Sequence, residues 1–176
     1  MTAIVDGSLG FTAPVGAVYN GLQTGTAVAS TSGTSIDFTG IPSWVKRITV
    51  MFSGVSLDVG TNIWLQLGTS GGVQTTGYLG TSGYVGGTPA ATNPTSAFSI
   101  FGDTASDLYH GSIVFSQLSS SSNIWVCQGL TSFSTRAYSQ LTSGSVTLSG
   151  TLTRVRITSS TGTANFDAGS INIIYE

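Results

Sequence analysis

The chain has 176 residues and a mass of 18.0 kDa, and only 7% of its residues are charged, against about 25% in an average soluble domain. Its 24 glycines, 27 serines and 26 threonines make up nearly half of the sequence. Because these residue types are poor helix formers, the composition excludes a helical bundle. An aromatic content of 10% and a mean hydropathy of +0.29 exclude a highly charged disordered chain, so we expect one folded domain.

The distribution of charge limits the partners that the chain can bind. Five Lys and Arg stand against seven Asp and Glu, which gives a net charge of -2. Lys46 and Arg47 are adjacent and would point to opposite faces of a strand, and Arg154 and Arg156 form only a two-residue patch. A protein that binds nucleic acid needs a basic stripe, so we expect no such partner. No apolar run approaches the roughly 20 residues that cross a bilayer, so we also expect no membrane partner.

The first part of the chain differs from the rest. Residues 1–33 show neither a helical period nor sustained alternation, and glycines recur there at short intervals, which predicts an extended N-terminal arm. Such an arm is too apolar for a flexible linker and gains stability only against another surface, so we expect it to dock on a partner. The predicted partner-binding residues of the arm are its larger apolar side chains: Phe11, Val15, Val18, Tyr19 and Leu22.

Residues 34–176 read as short alternating segments separated by Gly, Ser, Asn and Asp clusters. About ten such strands predict an all-β fold, an antiparallel β-sandwich of jelly-roll-like type. The clearest segment sets Ile48, Val50 and Phe52 on one face. The predicted strands are residues 35–38, 46–53, 61–67, 73–79, 97–101, 109–118, 123–128, 145–148, 151–158 and 170–175.

Residue types that carry chemistry are scarce. Cys127 is the only cysteine, which excludes an intrachain disulfide and a cysteine-built zinc site, and its apolar run predicts a buried thiol. His110 is the only histidine, and Asp103 and Asp107 precede it closely enough to orient it on a turn. No nucleophile motif accompanies them, so we predict no catalytic residues, no cofactor, no metal site and no enzyme activity.

Aromatic residues are the remaining binding candidates. Trp64 and Trp125 are predicted to face away from the apolar side of their strands, and Tyr78, Tyr84 and Tyr138 to lie in or beside loops. Three roles fit such residues: a subunit interface, closure of the core, or stacking on a sugar ring. The interface is favoured because aromatic residues are enriched at interfaces.

Three stretches of the sequence are similar to known proteins. Residues 36–56, IDFTGIPSWVKRITVMFSGVS, form the longest of them; QLG at 66–68 followed by GGVQTTGY at 71–78 is the second, and RVRIT at 154–158 with FDAGSINIIYE at 166–176 is the third. Together they resemble a domain of tailed-bacteriophage structural proteins that is often found at the C-terminal end of tail fibres. The resemblance covers residues 35–176, implies a β-sandwich and supplies no catalytic residues.

The expected function follows from this resemblance and from the arm. Neither coiled-coil heptads nor a β-helical shaft separates the arm from the sandwich, so the chain looks more like a capsid decoration (cement) protein than a fibre. The resemblance then implies a homotrimer on the outer surface of the virion, whose arm binds the major capsid protein or other virion proteins and stabilises the shell. The alternative is a tail-fibre or tail-tip protein that binds a host glycan.

Overall fold

The computed structural model of the protein describes residues 4–6, 10–12, 21–86, 88–119 and 121–176, with the backbone alone for 4–6 and 10–12. All regular secondary structure in these ranges is β-strand. Among these residues, no helix has the length and apolarity needed to cross a membrane. The strands are β1 (Ile4–Asp6), β2 (Gly10–Thr12), β3 (Gln23–Thr24), β4 (Val28–Ala29), β5 (Ser35–Thr39), β6 (Arg47–Leu57), β7 (Ile63–Thr69), β8 (Gly72–Val73), β9 (Tyr78–Val85), β10 (Ala90–Thr92), β11 (Phe98–Ile100), β12 (Tyr109–Gln117), β13 (Ile124–Phe133), β14 (Ser139–Thr147), β15 (Arg154–Ser159) and β16 (Phe166–Tyr175).

Two antiparallel sheets form the body of the described chain. The large sheet has the order β10-β9-β14-β13-β12-β6-β16, and β3 and β4 both pair with the outer edge of β16. The small sheet has the order β11-β7-β15-β5, with β8 beside β7. The predicted antiparallel β-sandwich is therefore confirmed, whereas its jelly-roll connectivity stays a prediction. Nine of the ten predicted strands are present, whereas residues 74–77 of the predicted strand 73–79 form a connection between β8 and β9.

The core lies between the two sheets, at the positions that the alternation predicts. Ile48, Val50 and Phe52 of β6 point inward and are buried, and the neighbouring positions on the strand are not. Ile63, Leu65 and Leu67 of β7 are fully buried from the opposite sheet. Each buried side chain of this size contributes about 1.5–3 kcal/mol, which makes this layer the main source of stability.

A bulge in β16 creates the attachment point for the N-terminal segment. The register between β6 and β16 shifts twice around Ala168, and Gly169 adopts a φ of +85°. A Cβ at Gly169 would lie 2.3 Å from the carbonyl oxygen of Gly54, so only glycine fits. At the bulge, Ser30 binds two backbone carbonyl groups of β16. It donates its amide to Gly169 O (2.9 Å) and its hydroxyl to Ala168 O (2.7 Å).

The last third of the predicted arm is consequently part of the sandwich. Residues 21–33 follow the edge of β16 through β3, β4 and the fully buried Ser30. For these residues, the expectation that the arm needs a partner surface is wrong, because β16 of the same chain supplies the backbone partners. Nearer the N-terminus, β1 and β2 pair with each other in antiparallel register. Within residues 21–33, pairing with the sandwich begins at Gln23, which lies opposite Tyr175.

Candidate functional site

The outer side of the large sheet carries the most unusual surface of the described chain. Its four neighbouring strands β9, β14, β13 and β12 contain no Asp, Glu, Lys or Arg, and their outward side chains are Ser, Thr, Gln, His and aliphatic residues. On the same side of the sheet, Arg47 of β6 and Glu176, which follows β16, pair with each other at 3.3 Å. We call the outer side of these four strands the neutral face.

Large aliphatic side chains stand exposed on the neutral face. Leu130 of β13 lies directly opposite Leu141 of β14, and each is 57% exposed. Leu79 is 70% exposed, and Val85 and Val126 complete the set. Scattered surface leucines are ordinary, but five large apolar residues on one uncharged sheet face form the kind of patch that marks a protein–protein contact.

A shallow groove opens beside these leucines, between β14, β9 and the edge strand β10. It encloses about 420 Å³, and its lining carries no charged group. Gly83 lies on its floor because Gly83 pairs with Leu141 on one side and with Ala91 on the other. The groove residues are Thr81, Gly83, Tyr84, Val85, Pro89, Ala90, Ala91, Leu141 and Ser143.

An ionic cluster fixes the loops at one end of the sandwich. Arg136 contacts Asp103 at 2.5 Å and Asp107 at 2.6 Å, and so ties residues 101–108 to residues 134–138. The side chain of Asp107 is fully buried, and this burial raises its pKa although Arg136 acts in the opposite direction. Hydrogen bonds from Arg136, to Asp103 above all, raise the pKa of the guanidinium, which stays charged.

Two predicted binding tyrosines belong to the same cluster. Tyr84 and Tyr138 stack with their ring centroids 4.9 Å apart and their planes 6° apart. Phe101 lies against Tyr84, and the Arg136 guanidinium lies 4.8 Å from the centre of the Tyr138 ring. Both tyrosines are half-buried and already packed within the chain, so little of either ring face is left for a sugar.

His110 does not join the two aspartates. Its Nδ1 accepts a hydrogen bond from the amide of Gly54 at 3.3 Å, while Asp103 and Asp107 bind Arg136 instead. Within the described residues, no three His, Cys, Asp or Glu side chains come together in a way that could hold a metal ion. The cluster therefore connects loops and brings no acid–base pair together.

Tyr78 is not at the surface, so its predicted interface or glycan role is wrong. It is 1% exposed, and its hydroxyl accepts a hydrogen bond from the amide of Leu67 at 2.9 Å and donates to the carbonyl of Gln74 at 3.0 Å. Its ring meets Phe98 edge to face at 4.9 Å. The hydroxyl thus partners the backbone of β7 inside the core, and burial raises the pKa of Tyr78 above its ordinary range.

Trp125 also lies in the core. This position fits closure of the core and excludes a subunit interface or stacking on a sugar ring. It is 2% exposed, and Cys127 two residues later shares its inward face. Val126, between them, points to solvent. The prediction of a buried Cys127 is confirmed, and burial raises the pKa of its thiol.

Trp64 is the one predicted aromatic on the outer side of the small sheet. With Gln66, Arg156 and Thr158 it lines a polar groove of about 330 Å³. Arg156 binds Asp37 through two hydrogen bonds of 2.8 and 3.0 Å, which fixes its plane. The indole Nε1 is buried and has no hydrogen-bond partner among the described residues.

The predicted arm contacts fall mainly before the described sandwich. Leu22 is 61% exposed next to β3, and of Phe11 only the backbone is described, within β2. Val15, Val18 and Tyr19 lie outside the described residues. The role of these side chains in binding a partner stays a prediction.

Two leucines of the neutral face, Leu130 and Leu141, are absent from the predicted site. The predicted strands stop at residue 128 and resume at 145, whereas β13 runs to Phe133 and β14 begins at Ser139. The sequence signal that could have extended β13 is the set of alternate positions Gln128, Leu130 and Ser132, which continue the outward side of the strand. It is weak because Gly129 interrupts the inward set.

A comparison of the chain with known protein families, curated proteins and solved structures found no match.

Proposed function

We propose that this chain is a non-enzymatic structural protein of a tailed-phage particle, and that it decorates and stabilises the capsid. The observation that carries the proposal is the neutral face. A sheet face of this size with exposed leucines and no charge is suited to contact with another protein subunit rather than with a polar substrate.

The arrangement of the charged groups supports the same role. Arg136 is held by Asp103 and Asp107, Arg156 by Asp37, and Arg47 by Glu176. These pairs link strands and loops of the sandwich to each other. Three of the five Lys and Arg side chains are therefore held by contacts within the fold, and the four strands of the neutral face carry no charge.

The N-terminal segment supplies a second contact in the proposal. Residues 21–33 are fixed on β16, so the segment that precedes them starts from a defined edge of the sandwich. Phe11, Val15, Val18 and Tyr19 give this preceding segment apolar anchors for the major capsid protein. Twenty extended residues span up to about 66 Å, which is enough to reach a neighbouring subunit.

The test removes residues 1–20 and keeps the strands that belong to the sheet. In the phage whose genome encodes the chain, purified particles are analysed by quantitative mass spectrometry for copies of the wild-type and truncated chain. We expect the truncated chain to fold with an unchanged melting temperature and to be lost from the particles. Unchanged occupancy of the particles would contradict the anchoring role.

A tail protein that binds a host glycan is the second candidate, and the groove at Trp64 favours it. An indole beside fixed hydrogen-bonding groups such as Arg156 and Gln66 is a common way to hold a sugar ring. This candidate places the binding site on the small sheet, away from the neutral face.

A glycan array with the purified protein separates the two candidates. Selective binding that is lost in Trp64→Ala and kept in Trp44→Phe would support the tail protein. Trp44 serves as the control because it packs near Tyr175, with ring centroids 5.9 Å apart, and lies outside the groove. Absence of saccharide selectivity would leave the decoration protein as the better candidate.

A further inference from the structure

We infer that the neutral face binds the neutral face of a second copy of this chain, so that the protein assembles as a two-fold dimer. The inference rests on the proposed assembly role and specifies its partner. The homotrimer implied by the resemblance requires two different patches on different sides of the protomer, whereas the neutral face is one continuous surface on one side of the large sheet.

Charge is the first argument for self-association. In a two-fold contact, a charged group near the axis meets its own copy, and such like-charge pairs are costly. The strands β9, β14, β13 and β12 carry no Asp, Glu, Lys or Arg at all. The neutral face therefore meets the requirement that a self-complementary contact imposes.

Shape is the second argument. Leu130, Leu141 and Gly83 lie in one row across β13, β14 and β9. With strands about 4.8 Å apart, Leu130 stands about 5 Å to one side of Leu141, and the groove floor at Gly83 about 5 Å to the other. We place a two-fold axis in the interface, parallel to β14 and above Leu141. This axis puts Leu130 of one copy opposite Gly83 of the other copy. Each Leu130 then enters the groove of the other copy.

Area is the third argument. The four strands are eight to ten residues long, which at about 3.4 Å per residue and about 4.8 Å between strands gives a face of roughly 20 by 30 Å. The contact then buries about 600 Å² on each copy. This reaches the lower end of the range for stable interfaces, about 1,200 Å² in total.

Sedimentation velocity of the purified full chain tests the inference. We expect a species of twice the 18.0 kDa chain mass that dissociates on dilution. Leu130→Ser should weaken the dimer at least about tenfold, and the double substitution with Leu141→Ser should give a monomer. Both side chains are exposed, so the variants should keep the fold and the melting temperature of the dissociated wild-type chain.

Leu118→Ser is the matched control. Leu118 is 64% exposed and follows the end of β12, so it lies beyond the margin of the neutral face and two strands away from the axis on β14. We expect it to leave the dimer intact. A dimer weakened equally by Leu118→Ser would overturn the inference, because the association would then depend on general surface hydrophobicity.

A cross-link reports the position of the axis. The two copies of residue 141 lie across the axis from each other, so Leu141→Cys should be joined to itself by a short bismaleimide, and Leu118→Cys should not. Cys127 does not interfere because it is buried. A monomer at all concentrations, or a trimer, would overturn the two-fold dimer. Neither result bears on the particle test of the proposed function, which measures incorporation.

Discussion

Leu130 and Leu141 face each other across β13 and β14 on the solvent side of the large sheet, and more than half of each side chain is exposed in the isolated chain. The pair lies at the centre of the neutral face, and Arg47 on β6 is two strands away from Leu130 and three from Leu141. Each side chain is already nearly half buried, so covering both with another subunit would add about 1–1.5 kcal/mol each. This relationship links the fold to the assembly role that we propose.

Replacing Arg136 with Met should destabilise the protein. The substitution leaves the buried carboxylate of Asp107 without its partner, and breaking a buried pair in this way costs about 3 kcal/mol. Arg47→Met is the control, since Arg47 and Glu176 are both about half exposed and a surface pair is worth less than about 1 kcal/mol. Urea unfolding of both variants measures the difference. Equal losses in the two would contradict the structural role of the Arg136 cluster.

Two truncations should separate the contribution of residues 1–20 from that of the edge strands in residues 21–33. Removal of residues 1–20 should leave the free energy of unfolding unchanged. Removal of residues 1–33 should lower it by about 3 kcal/mol, because it deletes both hydrogen bonds of Ser30 and the one that Gly33 O accepts from Phe166 N. Urea titrations of the two truncated chains give both values. A longer truncation without effect would show that residues 21–33 do not hold β16.

Alkaline pH should unfold the protein through two core tyrosines. Burial raises the pKa of Tyr78 and of Tyr109 above the ordinary value of about 10. The unfolded chain therefore releases these protons first, and stability that is present below pH 10 is lost as the pH rises further. Each tyrosine should contribute a slope of about 1.4 kcal/mol per pH unit.

Tyr78→Phe provides the control for the alkaline slope. The buried thiol of Cys127 also loses its proton first in the unfolded chain, so denaturant unfolding between pH 10 and 11 should show about two thirds of the wild-type slope in this variant. Its stability at pH 7 should also fall by about 1 kcal/mol, since the amide of Leu67 loses its acceptor. A slope equal to that of the wild type would mean that Tyr78 does not contribute to the alkaline loss.

The thiol of Cys127 should be unreactive in the folded protein. It is 1% exposed, and burial raises its pKa, so little thiolate exists to attack a reagent. We expect no reaction with Ellman's reagent at pH 8 within an hour and one thiol per chain after unfolding in guanidinium. Fast reaction in the folded state would place Cys127 at the surface.

The sheets could be predicted because their alternation is local. Ile48, Val50 and Phe52 differ clearly from their polar neighbours, so the inward face of β6 follows from the sequence alone. In β13, both alternating sets begin with large apolar residues, Trp125 and Cys127 on one side and Ile124 and Val126 on the other. Local pattern could not decide between them, and Trp125 was therefore placed on the wrong face.

Contacts between distant residues could not be predicted in this way. The hydroxyl of Tyr78 binds Leu67 across a turn, and Ser30 binds a bulge that lies 138 residues away. Arg136 meets Asp103 and Asp107 only because two loops converge at one end of the sandwich. The groove at Gly83 likewise depends on the pairing of β10 with β9. Such features follow from the topology rather than from any one segment.

The most direct measurement is the position of the chain in the purified phage particle, determined by electron cryomicroscopy. We expect copies of the chain on the capsid shell, and we expect their neutral face, the outer side of β9, β14, β13 and β12, to be covered by another subunit. Copies whose neutral face is fully open to solvent, or a particle that lacks the chain, would contradict it.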